Sequence, residues 1–240
     1  MIINMKLKQL NQNKQGLIML NIEPIKLLSG AHSDTAQTGQ GCFMNVIAYL
    51  NGESQITDQS LCVCVTIRPI AIFLNDFAND EQRQRLLPFV LRAMGTATNN
   101  KEVIQTRIKA VVEFAEFNAR LASKFSQSVA QYTAKSEAES VTKFVKYAAE
   151  SAQYAAEYAA KSNKYAAEYA AKSAESTAES VQYSAEYAAQ SAVIRAKYQT
   201  VREEIFTAGL KFLEKTCNPP CEQNQVIIDR ANKLIELAVA

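Results

Sequence analysis

The chain has no tryptophan, a single histidine, five prolines and seven glycines in 240 residues. One histidine excludes any centre built on several imidazoles. The glycines offer no phosphate-cradling loop, since Gly39 and Gly41 alone are too short a signal. No glycine or proline stands between Gly95 and Gly209, so that stretch holds none of the residues that break helices. A charge of one sign is also missing. Lys and Arg total 26 against 24 for Asp and Glu, which gives a net charge of +2. That balance argues against a polyelectrolyte partner, and no nucleic acid is expected. No run reaches the ~18 apolar residues that a membrane span needs. The five cysteines are odd in number and no secretory signal is evident, which points to a reducing, cytoplasmic setting.

What is present is a repeat. From Tyr147 the chain reads YAAESAQYAAEYAAKSNK, YAAEYAAKSAESTAESVQ and YSAEYAAQSAVIRAKYQT, three imperfect copies of an 18-residue unit starting at Tyr147, Tyr165 and Tyr183. An 11-residue echo links Tyr147, Tyr158 and Tyr169. Both periods are close to whole helical turns, at ~3.6 residues per turn. At about 100° per residue, Tyr147, Tyr154, Tyr158, Tyr165, Tyr169, Tyr183, Tyr187 and Tyr198 share one stripe roughly 80° wide. Serines line one edge of it and glutamates the other. Most of the remaining circumference is alanine, including Ala148, Ala152, Ala170, Ala174 and Ala178.

Alanine is the strongest helix former and lets another backbone come close. Tyrosine adds a large ring with a hydroxyl that needs a partner or water. A lone helix of this kind would leave a long apolar surface in water. The pattern therefore predicts lengthwise, coiled-coil-like packing against helices of the same chain or of other copies. Upstream, Ile104, Ile108, Val111, Phe114, Phe117, Leu121, Phe125, Val129 and Tyr132 form a conventional core-facing stripe.

The expected fold is predominantly all-α. Residues 1–95 form a small helical module, 96–216 one very long Ala/Tyr-rich helix, with a fold-back hairpin as the alternative, and 217–240 a short amphipathic helix. The weak places for a turn are AKSEAES around residue 137 and KSNK around residue 163. Within the module, Cys42–Leu50 reads as an apolar helix closed by Asn51-Gly52. Leu61–Phe77 begins like a buried strand and continues as a helix, with Pro69 near its start. Asn79-Asp80 caps a helix over 81–94 that Gly95 ends.

One constellation looks reactive. Cys42 opens a helix after Gly39-Gln40-Gly41, where the helix dipole favours the thiolate, and His32 lies ten residues before it. Papain-like and transglutaminase-like enzymes place their cysteine this way, but their histidine follows the cysteine. Cys62-x-Cys64 and Cys217-x₃-Cys221 lack the C-x₂-C spacing of zinc knuckles, so no metal and no cofactor is expected. Glu203 and Glu204 read as a solvated helix face.

The segments GAHSDTAQTGQGCFMNVIAYLNGE and DQSLCVCVTIRPIAIFLNDFANDEQRQRLLPFVLRAMGT resemble a module of uncharacterised bacterial and phage proteins, in which a GxHS…C…AYxxGE…ND…RQxLxP…GT pattern precedes Ala-rich helical repeats. The resemblance covers residues 29–97, implies a module joined to a repeat helix, and transfers no activity. The function expected is that of a self-associating structural or interaction protein, a homo-oligomer joined through the Ala/Tyr face. The alternatives are a cysteine-nucleophile enzyme using Cys42 and His32, or a ligand- or peptide-binding module.

Overall fold

The computed structural model describes residues 22, 24–30, 40–129, 135–160, 164–188, 192–218 and 225–239. Among them the chain is predominantly α-helical. Two short strands, β1 (Lys26–Leu27) and β2 (Gln40–Gly41), pair in parallel. The helices are α1 (Phe43–Asn51), α2 (Arg68–Phe77), α3 (Asp80–Gln84), α4 (Leu87–Ala93), α5 (Lys101–Val129), α6 (Lys135–Ala160), α7 (Lys164–Ala188), α8 (Ala192–Thr216) and α9 (Gln225–Val239).

The serial division expected from sequence becomes two spatial units. One joins residues 1–64, 74–97 and 217–240, and the other joins 65–73 and 98–216. The terminal segment thus groups with the first module. The boundary runs through α2, whose residues up to Phe73 belong to the second unit and from Leu74 to the first.

The first unit is organised by side chains that bond to backbone. Gln84 holds both backbone groups of Leu27, accepting from its N–H at 3.1 Å and donating to its carbonyl at 3.1 Å. Asn75 is buried; its Oδ1 accepts from the Phe43 N–H at 3.1 Å and its Nδ2 donates to the Leu28 carbonyl at 2.8 Å. Arg83, also buried, donates to the carbonyls of Asn75 at 2.7 Å and Ala78 at 2.5 Å, closing the end of α2. Each bond satisfies a backbone group that a two-residue strand or a helix end leaves open.

The expected caps form. Asn79 accepts from the Gln82 N–H at 2.8 Å while Gln82 Oε1 accepts from the Asn79 N–H at 3.2 Å, a capping box. Gly52 takes the left-handed conformation that ends α1, whereas α4 is left through extended Met94 and left-handed Gly95 completes the turn that follows. Two readings are corrected. Leu61–Ile67 forms turns rather than a strand, held where Thr96 Oγ1 accepts from the Cys64 N–H at 2.9 Å. The single helix over 81–94 is two, α3 and α4, because Pro88 has no N–H to give the carbonyl of Gln84.

The second unit is a bundle. The long stretch folds back into α5, α6, α7 and α8 rather than running as one rod. α7 packs against α5, α6 and α8, and α5 also packs against α6 and α8. Helices this long, joined through three to five residues and packed on each other, run antiparallel. The interval between α6 and α7 coincides with KSNK, one of the two places where the fold-back alternative allowed a turn. The first break precedes AKSEAES and the third, between α8 and its predecessor, has no sequence signal. Ile108, Val111, Phe114, Leu121 and Phe125 are buried, as the stripe on α5 requires.

Among the described side chains of α7, those buried in this core are small. Ala170, Ala171, Ala174, Thr177 and Ala178 are fully buried. The hydroxyls that are buried with them bond along their own helix: Thr177 Oγ1 donates to the Ser173 carbonyl and Ser180 Oγ to the Ser176 carbonyl, both at 2.8 Å. Partial burial of Glu179 pushes its carboxyl above the usual range.

Two predictions follow from these contacts. A Cβ at Gly52 meets a strained φ of +76° and clashes with the Arg230 guanidinium, which bonds the Leu50 carbonyl at 3.1 Å. Gly52→Ala is expected to lower stability by about 1–2 kcal/mol in chemical denaturation, and Arg230→Ala in the same background to add little, since its bond is already lost. For Glu179, a pKa raised on folding favours the protonated native state, so its contribution is present at low pH and lost as pH rises through the folded pKa. Glu179→Gln is expected to raise the thermal midpoint at pH 7.5, with the gain vanishing near pH 4.

Candidate functional site

The sequence pointed to two places, the tyrosine stripe and the Cys42–His32 pair. The stripe lies on α6 and α7. Tyr147 and Tyr154 are seven residues apart on α6 and are 55 % and 54 % exposed, and Tyr169 on α7 is 52 % exposed. Tyr154 and Tyr169 each stand about one and a half turns from the α6–α7 connection, so the antiparallel pairing sets them level. Lys172 Nζ lies 5.9 Å from the Tyr169 ring centre. Tyr198 on α8 is half-buried. Tyr158, Tyr165, Tyr183 and Tyr187 belong to α6 and α7, and their side chains lie outside the described residues.

The alanines adjoining this stripe have a different fate. Ala148 and Ala155 of α6 are fully buried, while Ala149 and Ala156 are exposed. The joint Ala/Tyr face is therefore divided. Its buried alanines are used within the chain's own bundle, and the rings of Tyr147, Tyr154 and Tyr169 are exposed.

Cys42 is the N-cap of α1, where the sequence suggested it. Its Sγ donates to Asn45 Oδ1 at 3.0 Å and accepts from the Asn45 N–H at 3.4 Å. The residue is only 5 % exposed, and burial pushes the thiol pKa up despite the backbone N–H groups of Asn45 and Met44. Asp76 and Asp58 push it further in the same direction. The dipole was expected to favour the thiolate; desolvation outweighs it. His32 lies outside the described residues. Cys62 is half-buried with its Sγ 3.2 Å from Ser60 Oγ, Cys64 and Cys217 are buried, and Cys221 lies outside the described residues.

A third feature was missed in the sequence. α5 and α8 leave a groove of about 780 Å³ between them. Its floor is apolar, with the Phe114 and Phe212 rings 5.9 Å apart and Ala110, Phe117 and Ala208 beside them. Its rim is charged, with Glu113 and Arg120 on α5 and Glu203, Glu204, Lys211 and Lys215 on α8. Sequence spacing places Phe114 and Phe117 in a single core stripe. Only the neighbouring helix, which sequence spacing does not supply, shows that Phe117 is left half-exposed at a groove.

No family model matches the sequence, and neither the curated proteins nor the solved structures contain a match.

The state of Cys42 sets a prediction. Iodoacetamide labelling of Cys42 in the folded chain at pH 7 is expected to run at least tenfold slower than a model thiol and to reach the model rate in denaturant. Fast labelling of the folded chain would restore the nucleophile reading.

Proposed function

We propose that the chain is a self-associating helical interaction protein whose tyrosine stripe on α6 and α7 contacts a second copy. The observation that carries this reading is the exposure of Tyr147, Tyr154 and Tyr169, each more than half accessible, on a bundle in which Ala148, Ala155, Ala170, Ala171, Ala174 and Ala178 are already buried. A tyrosine ring holds a large apolar area on few rotatable bonds, so ordering it at an interface costs little entropy. The net charge of +2 imposes little repulsion between copies. The acidic Glu150, Glu157 and Glu168 beside the stripe disfavour a phosphate backbone as partner.

Burial of Ala148, Ala155, Ala170, Ala171, Ala174 and Ala178 removes these alanines from contact with another copy. Association rests on the rings, and the alanines set the bundle that presents them. The Cys42 enzyme reading loses support with the raised thiol pKa. Among the described residues no helix is long and apolar enough to cross a membrane.

Tyr154→Glu combined with Tyr169→Glu is expected to shift the sedimentation coefficient toward that of a smaller species at equal concentration, with circular dichroism unchanged because both side chains lie at the surface. An unchanged mass distribution in the double variant would overturn the tyrosine reading.

A further inference from the structure

The groove between α5 and α8 carries an order in its charges that its lining alone does not reveal. The two helices run antiparallel here. Arg107 Nε donates to the Thr216 carbonyl at 3.0 Å, Lys215 pairs with Glu113, and Phe114 meets Phe212, so numbers rise along α5 as they fall along α8. Continuing that register sets Arg120 level with the turn of Glu203 and Glu204.

At one end of the groove an acid on α5, Glu113, therefore stands across from Lys211 and Lys215 on α8. At the other end a base on α5, Arg120, stands across from Glu203 and Glu204. The spacing along each helix is the same. Glu113 and Arg120 are seven residues apart, as are Glu204 and Lys211, two turns or ~10 Å in each case. The rim is a checkerboard of alternating sign around an apolar floor.

Such a pattern has a symmetry consequence. Two identical surfaces that dock face to face are related by a two-fold axis lying in the interface. Turning a checkerboard over, about an axis along the helices or across them, exchanges its signs. Every acid of one copy then meets a base of the other, and the pattern is complementary to itself.

Sterics agree. The rim residues Glu113, Arg120, Glu203, Glu204, Lys211 and Lys215 are all exposed, and the side chains of Glu113 and Lys215 stay more than half accessible although they pair with each other. The middle of the α8 row is small, Thr207 and Ala208, opposite the bulkier Phe114 and Phe117 of α5. A partner therefore reaches the apolar floor without crossing a large side chain on the α8 side.

We infer that this groove is a docking surface for a second copy of the chain, through the same groove of that copy. It is separate from the tyrosine stripe on α6 and α7 and does not rest on it. Desolvation of Phe117 and Ala208 supplies the attraction, and the checkerboard sets register and rejects unrelated surfaces, since like charges brought together oppose docking.

The test uses the full chain carrying Tyr154→Glu and Tyr169→Glu, so that the tyrosine stripe cannot contribute. Sedimentation velocity is expected to show a dimer whose dissociation constant rises several-fold between about 50 and 500 mM NaCl. Adding Glu203→Lys and Glu204→Lys is expected to weaken it by about tenfold or more. Inverting the whole pattern is the decisive variant: Glu113→Lys, Arg120→Glu, Glu203→Lys, Glu204→Lys, Lys211→Glu and Lys215→Glu, with Glu116→Lys because Glu116 pairs with Arg120 at 3.6 Å along the exposed side of α5. That chain is expected to regain self-association and to refuse the parent. A salt-independent dimer, no dimer at all, or unchanged affinity after the two-residue reversal would overturn the inference. So would a folded inverted chain that stays monomeric. If the inverted chain does not fold, the salt series and the two-residue reversal still decide.

Discussion

Close packing through small side chains is the constraint on which the second unit depends. α7 touches three other helices, and a helix can do so only if its buried surfaces let several neighbours come near. Ala170, Ala171, Ala174, Thr177 and Ala178 do this by bringing almost no volume. Each buried methyl contributes only about 0.8 kcal/mol, so no single contact dominates. The large rings come from α5 and α8, where Phe114, Phe125, Phe206 and Phe212 fill the remaining space. A larger residue at any of the buried α7 alanines would have to displace a backbone on the facing side, because a close-packed core leaves it no room. The low side-chain volume of the repeat is therefore the structural requirement, and its high helix propensity lets helices so poor in large residues hold their shape.

Burial of Ala148 and Ala155 also explains why Tyr147 and Tyr154 are exposed. Tyr147 and Tyr154 sit beside the positions of Ala148 and Ala155 on α6. Rotating the helix to bury the rings would expose the alanines and push the neighbours apart by the width of a ring. The hydroxyls would then also need partners that an alanine-lined interior does not hold. The rings remain at the edge of the core, partly packed and partly wet.

Much of this was legible in the sequence, and the reasons are specific. Helical state, the Asn79 cap, the glycine end of α1, and the core stripe of α5 are all set by residues within a few positions of each other. Four things were not legible. The fold-back of α5–α8 is set by packing between helices far apart in the sequence, and no glycine or proline in the stretch announces it. The split between α3 and α4 was marked by Pro88, but the apolar spacing ran across it. The state of Cys42 depends on how deeply its turn is buried, which the dipole argument ignored. The α5–α8 groove lies between residues some ninety positions apart, and nothing local in Glu203-Glu204 distinguishes a groove rim from an ordinary solvated face.

The two candidate surfaces differ in physical character, and that difference matters for what an assembly can do. The tyrosine stripe has a narrow charged border, so association through it would be mostly apolar and only weakly dependent on salt. The α5–α8 groove carries alternating charge around a small apolar floor, so association through it would be screened by salt and fixed in register. A chain with a single self-complementary surface stops at a dimer, because docking uses that surface on both copies. A chain with two distinct ones does not stop there: each dimer formed through one surface still offers two copies of the other. Growth then continues into an open chain or closes into a ring, according to the angle between the two axes. Ionic strength acts on only one of the two joints, so raising it would cut such a polymer into the dimers held by tyrosine.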